Sequence, residues 1–148
     1  MSYDSPDFRV QMMHGPIFGS FAQIIVTGGS TETATSVGTM DRVEFFRNIK
    51  VLDFKVLPKT GISDAGANAS NTRTVLLRVG TDIVATAVLL GTDDAGLMIE
   101  GGVASGTLAE VTSNEELNLA LRIVSGGTTE TYTVNSVEAY ILYEHRFA

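Results

Sequence analysis

The last third of the chain, residues 103–148, alternates apolar and polar side chains between short turns that contain Gly or Asn. In Leu117–Ile123 the odd positions are all large aliphatics and the even positions are polar or small, so a strand here has one apolar face and one face that meets water. A helix is the alternative, because four apolar residues between Leu117 and Val124 follow helical spacing. Leu119 and Ile123 would lie off that helical stripe, so the alternation predicts a β-sheet.

The same reasoning predicts about eight strands along the chain. The apolar alternation slips by one position between Val51 and Leu52, which predicts a β-bulge, and Pro58 ends that strand. Hairpin turns are predicted at Gly80-Thr81 and at Ser125–Thr128. The predicted strands are 48–57, 72–79, 83–90, 103–111, 117–124 and 134–144, and the fifth is expected to pair with the fourth. Short strands at this spacing predict an all-β fold, an antiparallel, jelly-roll-like β-sandwich.

The first forty residues differ from the rest. Residues 27–39 are mostly Gly, Ser and Thr, a composition that buries too little apolar area to order itself. We therefore interpret residues 1–39 as an N-terminal arm and residues 40–148 as the β-sandwich domain; the alternative is a first strand and a loop within one domain. The apolar residues of the arm are expected to bind a partner, namely Met12, Met13, Ile17, Phe18 and Phe21.

Composition excludes several classes of function. The chain has 148 residues, no Cys and a formal net charge of −7, with 10 Lys and Arg against 17 Asp and Glu. No disulfide framework or Cys-based metal site is possible, and an acidic chain lacks the positive face that nucleic-acid binding needs. Asp4 and Asp7 precede any apolar stretch, and the run Ile83–Leu90 is too short to cross a bilayer, so neither a signal peptide nor membrane association is expected.

Few residues suggest chemistry. His14 and His145 lie far apart in the sequence, and the pair Asp93-Asp94 lacks the oxygen spacing of a calcium loop, so no metal, cofactor or small-molecule substrate is expected. With no acid/base cluster, the chain is not expected to be an enzyme, and we assign no catalytic residues. Glu138 and Tyr140 share strand parity with Glu144; the row is either a sugar-binding surface or the wet face of a strand.

The phenylalanines offer a second candidate contact. Phe45 and Phe46, with Phe18 and Phe21 upstream, could anchor an arm or a subunit contact, because aromatic side chains bury much area at low entropic cost. For Phe45 and Phe54, ordinary packing in the core is the stronger expectation.

Four segments of residues 45–148 carry a family resemblance: KVLDFKVLPKTG, TVLLRVGTDIVATAVLL, GTLAEVTSNEELNLALRIVSGGT and VNSVEAYILYE. They resemble the small β-sandwich proteins of tailed-bacteriophage virions, especially capsid decoration (cement) proteins. The likeness rests on two features. A turn with acidic residues precedes the penultimate strand, and a strand with aromatic residues ends the domain.

The resemblance implies a structural protein, commonly a homotrimer, that binds the major capsid protein on the outer surface of the shell and stabilises it. Its location would be the virion, after assembly in the host cytoplasm. The alternative is a carbohydrate- or receptor-binding β-sandwich module of a phage fibre or tail. Such a module is expected to carry Trp or Tyr clusters, and this chain has no Trp and four Tyr.

Overall fold

The computed structural model of the chain describes residues 11–20, 24–33, 43–59, 72–89, 96–132 and 136–146. These residues form eleven strands and a short 3-10 helix, Gly106–Ala109, and the described part of the chain contains no α-helix. The prediction of an all-β fold is confirmed. The strands are β1 (Gln11–Ser20), β2 (Ile24–Thr33), β3 (Val43–Glu44), β4 (Ile49–Pro58), β5 (Thr72–Val79), β6 (Asp82–Leu89), β7 (Ile99–Glu100), β8 (Gly102–Val103), β9 (Glu110–Val111), β10 (Glu116–Tyr132) and β11 (Ser136–His145).

The strands form two antiparallel sheets. The first sheet has the order β1-β11-β4-β7, with β9 also paired to β4, and the second has the order β2-β10-β5-β6-β8, with β3 paired to β10. The pairs β1 with β11, β2 with β10, β4 with β7 and β5 with β6 are nested along the chain, as in a jelly roll. The predicted jelly-roll-like sandwich is therefore confirmed.

The core lies between the two sheets and is filled by alternate side chains of the long strands. In β11, for example, Val137, Ala139 and Ile141 are fully buried, while the residues between them are half-buried. They meet inward-facing aliphatics of the second sheet, among them Leu77 and Leu119. This alternation is the reason these segments are strands, because only an extended chain places every second residue on one face.

Two local predictions are confirmed. The pairing of β4 with β11 shifts between Asp53 and Val51, so Leu52 is the extra residue of the predicted bulge. The hairpin of β5 and β6 turns at Gly80-Thr81, where Gly80 has a positive φ of 58°. A φ in this range favours Gly, because a Cβ would clash with the backbone.

Two other predictions are wrong. The segment 103–111 is not one strand; it contains the end of β8, the 3-10 helix and β9, and it does not pair with 117–124. Ser125–Thr128 is not a hairpin turn, because β10 continues through it to Tyr132 and only the register with β2 shifts there. A strand that stays paired on one side can carry Gly-Gly as an irregularity instead of reversing direction.

The N-terminal region contributes strands to both sheets. Strand β1 pairs with β11, and β2 pairs with β10, within the range interpreted as an arm. Ile17 of β1 is 1% exposed and belongs to the core. These pairings correspond to the alternative interpretation, in which this part of the chain belongs to the same domain.

Candidate functional site

The two long sides of the sandwich differ, and this difference defines the candidate site. On one side β7 pairs with β4 of the first sheet and β8 pairs with β6 of the second, with only Gly101 between them. The N–H of Gly101 donates a 2.7 Å hydrogen bond to the carbonyl oxygen of Phe54. One continuous segment therefore closes this side of the sandwich.

The other side, here called the open side, has no such closing segment among the residues that the structure describes. Strands β1 and β2 are the terminal strands of their sheets within the described residues. Met12 lies opposite Tyr143 on the core-facing side of β1, and it is nevertheless 41% exposed. A core-facing side chain remains this exposed because no described strand continues the sheet beyond β1.

Strand β1 lacks the charges that usually protect the edge of a sheet. Gln11–Ser20 contains no Asp, Glu, Lys or Arg. Edge strands are commonly blunted by charged side chains, by Pro or by bulges, and β1 has only Pro16 and a register shift between His14 and Ile17. On its outer face Met13 is 62% exposed and Phe18 is 46% exposed. The strand therefore presents an uncharged, partly apolar edge.

The five residues predicted to bind a partner fall into three groups. Met12, Met13 and Phe18 are exposed on β1, and their role in binding stays a prediction. Ile17 is in the core, so its inclusion in an accessible contact surface is corrected: it packs between the sheets and stabilises the fold. Phe21 lies outside the described residues.

An aromatic cluster lies where β1 begins and β11 ends. The ring of Phe45 packs on Tyr143 with 4.8 Å between centroids and meets His14 edge-on at 5.6 Å. Tyr143 in turn meets His145 edge-on at 5.6 Å. The two histidines that are distant in sequence therefore flank one cluster, and the described residues contain no group of three or more His, Asp or Glu side chains suited to hold a metal.

Phe46, the neighbour of Phe45, is 97% exposed. The turn that carries it is fixed on both sides. The carbonyl oxygen of Phe45 accepts a 2.9 Å hydrogen bond from the N–H of Asn114. On the other side, the side-chain oxygen of Asn48 accepts one of 2.8 Å from the N–H of Ser113, and its carbonyl oxygen accepts one of 2.7 Å from the N–H of Arg146.

The sequence predicts core packing for Phe45 and Phe54 and gives Phe46 no separate role. Phe45 and Phe54 are buried, as expected, and Phe46 is not. The signal was present in the sequence, because adjacent residues of an extended chain point to opposite faces and only one member of the pair can face the core.

Carboxylates surround the Phe46 turn. Glu44 of β3 lies directly opposite Glu116 of β10, and Glu115 holds the neighbouring turn through a 2.8 Å hydrogen bond from the N–H of Thr112 to its Oε2. Like charges on facing strands repel each other unless other groups compensate them, and Glu116 has a further interaction within the chain. The turn itself contributes one cation, Arg47.

The outer face of the first sheet holds the polar row that the sequence suggested. The hydroxyl of Tyr140 donates a 2.9 Å hydrogen bond to Oε2 of Glu138, and Nζ of Lys59 lies 3.4 Å from Oε1 of the same carboxylate. Further along, Glu144 is buried and lies 3.5 Å from Arg146, which also contacts Glu110 at 3.3 Å. The row is thus held by ion pairs within the chain.

The environment of Tyr140 on this face changes its pKa. The hydrogen bond to Glu138 raises the pKa of the phenol above its ordinary value of 10.0, and desolvation and the negative charge of Glu138 act in the same direction. A Cβ added to Gly15 would lie 2.5 Å from Cδ1 of Tyr140, so the backbone of β1 packs closely against the ring. The hydroxyl of Tyr140 is therefore hydrogen-bonded within the chain, and the backbone of β1 covers one edge of its ring.

Comparison of the chain with protein-family models, with curated proteins and with solved structures finds no match. Within the described ranges, no helix is long and apolar enough to cross a membrane.

Proposed function

We propose that this protein is a structural virion protein that binds the outer surface of a tailed-phage capsid and stabilises the shell, with the major capsid protein as its partner. The observation that carries the proposal is the open side of the jelly roll, where the uncharged strand β1 exposes Met12, Met13 and Phe18. The resemblance to capsid decoration proteins supports a phage shell as the surface to which it binds.

An uncharged edge strand suits attachment to another polypeptide. A strand or loop placed against β1 would satisfy the outer backbone groups of the edge and bury its apolar side chains. The unbranched side chains of Met12 and Met13 adapt to neighbours that are not identical in shape. On a shell, modest affinity at one site is multiplied by valency, so a contact of this size is sufficient when it repeats by symmetry.

A second exposed apolar group supports a homotrimer. Leu97 and Met98 precede β7, Leu108 lies in the 3-10 helix near β4 and β6, and all three are about half exposed. A cyclic trimer needs two different surfaces on each subunit that meet each other around the ring. Leu97, Met98 and Leu108 would give the β7 side one such surface, which leaves the edge of β1 for the shell.

Sedimentation with shells tests the proposal. Purified protein is mixed with empty shells assembled from the cognate major capsid protein, and the mixture is centrifuged through a gradient. We expect the protein to sediment with the shells and to raise the temperature at which they come apart. If the protein stays at the top of the gradient at micromolar concentration, the proposed function is wrong.

Light scattering tests the oligomer separately. The chain has a mass of 15.7 kDa, and we expect a particle of about three times that mass in solution. A monomer would contradict the trimer and would leave binding to the shell to be judged by sedimentation alone.

The second candidate function is binding of a carbohydrate by a fibre or tail module. It is favoured by the row of Glu138, Tyr140 and Lys59 on the outer face of the first sheet. A glycan array distinguishes the two: binding that is lost in Tyr140→Phe and retained in Phe18→Ala would support the carbohydrate module over the shell protein.

A further inference from the structure

We propose that the first half of strand β1, Gln11–His14, is a latch that opens when hydrogen peroxide oxidises Met12 to its sulfoxide. In the closed state the latch pairs with Ile141–Glu144 of β11. In the open state it would uncover the backbone edge of β11 beside Tyr143. The inference concerns the chain alone and does not depend on the proposed function.

A hinge separates the latch from the rest of β1. The pairing of β1 with β11 shifts between His14 and Ile17, so the ladder is interrupted at Gly15-Pro16. Pro16 has no backbone N–H with which to continue it. The latch can therefore leave β11 while Ile17–Ser20 stays paired with Ser136–Ala139.

The two halves of β1 are anchored with unequal strength. Beyond the hinge, Ile17 is 1% exposed and belongs to the core. Within the latch, Met12 faces the core but is 41% exposed, and His14 is half-buried and meets Phe45 edge-on. Segments with few buried apolar contacts open locally at a lower free energy than the core of a fold. The latch is therefore the part of β1 that opens first.

The contact between Met12 and Tyr143 is the oxidation-sensitive part of the latch. Tyr143 is 6% exposed, and its hydroxyl donates a 3.7 Å hydrogen bond to Sδ of Met12. A buried phenol needs an acceptor, and a thioether sulfur is a weak one. The ring of Tyr143 is held by its contacts with Phe45 and His145. When the hydrogen bond is lost, we therefore expect Met12 to move and Tyr143 to stay.

The oxidation transfers one oxygen atom to the sulfur of Met12. The O–O bond of hydrogen peroxide breaks and an S–O bond forms, so the thioether is oxidised to the sulfoxide and the peroxide is reduced to water. The 3.7 Å between Sδ and the hydroxyl of Tyr143 leaves no room for an oxygen between the two atoms. The polar sulfoxide is expected to turn towards water and to take the start of β1 with it.

Met13 provides the matched comparison. It is 62% exposed on the outer face of β1, so its oxidation should be faster than that of Met12 and should leave the latch closed. Met98, before β7, is 49% exposed. The double variant Met13→Leu/Met98→Leu leaves Met12 as the one methionine within the residues that the structure describes.

Hydrogen exchange measures the opening of the latch. The double variant is treated with hydrogen peroxide, and peptide mass spectrometry confirms the sulfoxide at Met12. We expect the paired amides of Gln11–His14 to exchange roughly 5- to 10-fold faster, the effect of losing one hydrogen bond, and those of Ile17–Ser20 to stay unchanged. Unchanged exchange in the latch would overturn the proposal. Equal acceleration in both halves would also overturn it, because β1 would then open as one unit.

Two further variants test whether Met12 and its contact with Tyr143 are responsible. With Met12→Leu added to the double variant, peroxide should leave the exchange of Gln11–His14 unchanged; acceleration there would mean that another oxidised group opens the latch, and the proposal would be wrong. With Tyr143→Phe added instead, the latch should be looser before treatment, and oxidation should accelerate exchange by less than about 2-fold. An acceleration as large as in the double variant would show that the hydrogen bond does not hold the latch.

Discussion

The hydroxyl of Tyr140 donates a hydrogen bond to the carboxylate of Glu138, two residues earlier in the same strand. Residues i and i+2 of a strand share a face, so the sequence alone places these two groups side by side. The bond satisfies the phenol while it is protonated and opposes its ionisation. The pKa of Tyr140 is therefore raised above 10.0.

Titration of Tyr140 should show this shift. The ultraviolet absorbance of tyrosinate, taken as the difference between wild type and Tyr140→Phe, is expected to appear at a higher pH than in a free tyrosine. Glu138→Gln removes the negative charge and should lower the pKa of Tyr140 towards its ordinary value. Glu100→Gln, which alters an exposed ion pair with Lys55, is the control and should leave the titration unchanged.

The raised pKa of Tyr140 determines in which direction the stability of the fold changes with pH. The folded-state pKa of Tyr140 lies above the unfolded value, so its contribution to stability is fully present below about pH 10 and is lost as the pH rises through the folded-state pKa. Loss of this contribution between about pH 7 and pH 9, where the phenol is still protonated, would contradict the assignment. Urea unfolding of wild type and Tyr140→Phe on both sides of pH 10 measures it.

Two phenylalanines give opposite predictions for the same substitution. Phe54 is fully buried between the sheets, and Phe54→Ala should lower the free energy of unfolding by about 3–5 kcal/mol through lost burial and the cavity that remains. Phe46 is almost fully exposed, and Phe46→Ala should change it by less than about 0.5 kcal/mol. Urea unfolding of both variants checks this; equal losses would mean that Phe46 packs against the fold.

Gly101 and Gly102 form a similar pair. A Cβ on Gly101 would lie 2.7 Å from the carbonyl oxygen of Thr86 and 2.7 Å from Cδ1 of Phe54, whereas a Cβ on Gly102 would have no atom within 4 Å. Gly101→Ala forces backbone and core to shift at the segment that closes the sandwich, so we expect a loss of about 1–3 kcal/mol. Gly102→Ala should cost less than about 0.5 kcal/mol in the same urea experiment.

The alternation of apolar residues was sufficient to predict the bulge at Leu52, the sandwich itself and part of its strands, namely β4, β5, β6, β11 and the first half of β10, but it did not predict β1 and β2. The alternation did not predict the conformation of segments that depends on which strands they pair with. Ser125–Thr128 has the composition of a turn, yet β10 continues because β2 pairs with it on both sides of the irregularity. The segment 103–111 alternates well enough for a strand, but it is needed to pass from the second sheet back to the first.

The candidate site was less predictable than the fold. The sequence predicts partner binding by Met12, Met13 and Phe18 because an apolar residue in a polar stretch needs a partner, and all three are exposed on β1. Ile17 lies in the same stretch of sequence, but its side chain packs in the core. The exposed role of Phe46 depends on which member of the Phe45-Phe46 pair faces inward, and hydrogen bonds from residues far along the chain fix that choice.

Strand β1 provides the last prediction, because Ile17 and Met13 lie on its opposite faces. Ile17 is 1% exposed and lies opposite Ala139 in the core, so Ile17→Ala should lower the free energy of unfolding by about 2–5 kcal/mol. Met13→Ala, on the exposed face, should change it by less than about 0.5 kcal/mol.

Deletion of residues 1–39 removes both β1 and β2 and exposes the core edges of β11 and β10, so the shortened chain should not unfold cooperatively in urea. A cooperative transition with wild-type midpoint in the shortened chain would show instead that residues 1–39 are a dispensable arm.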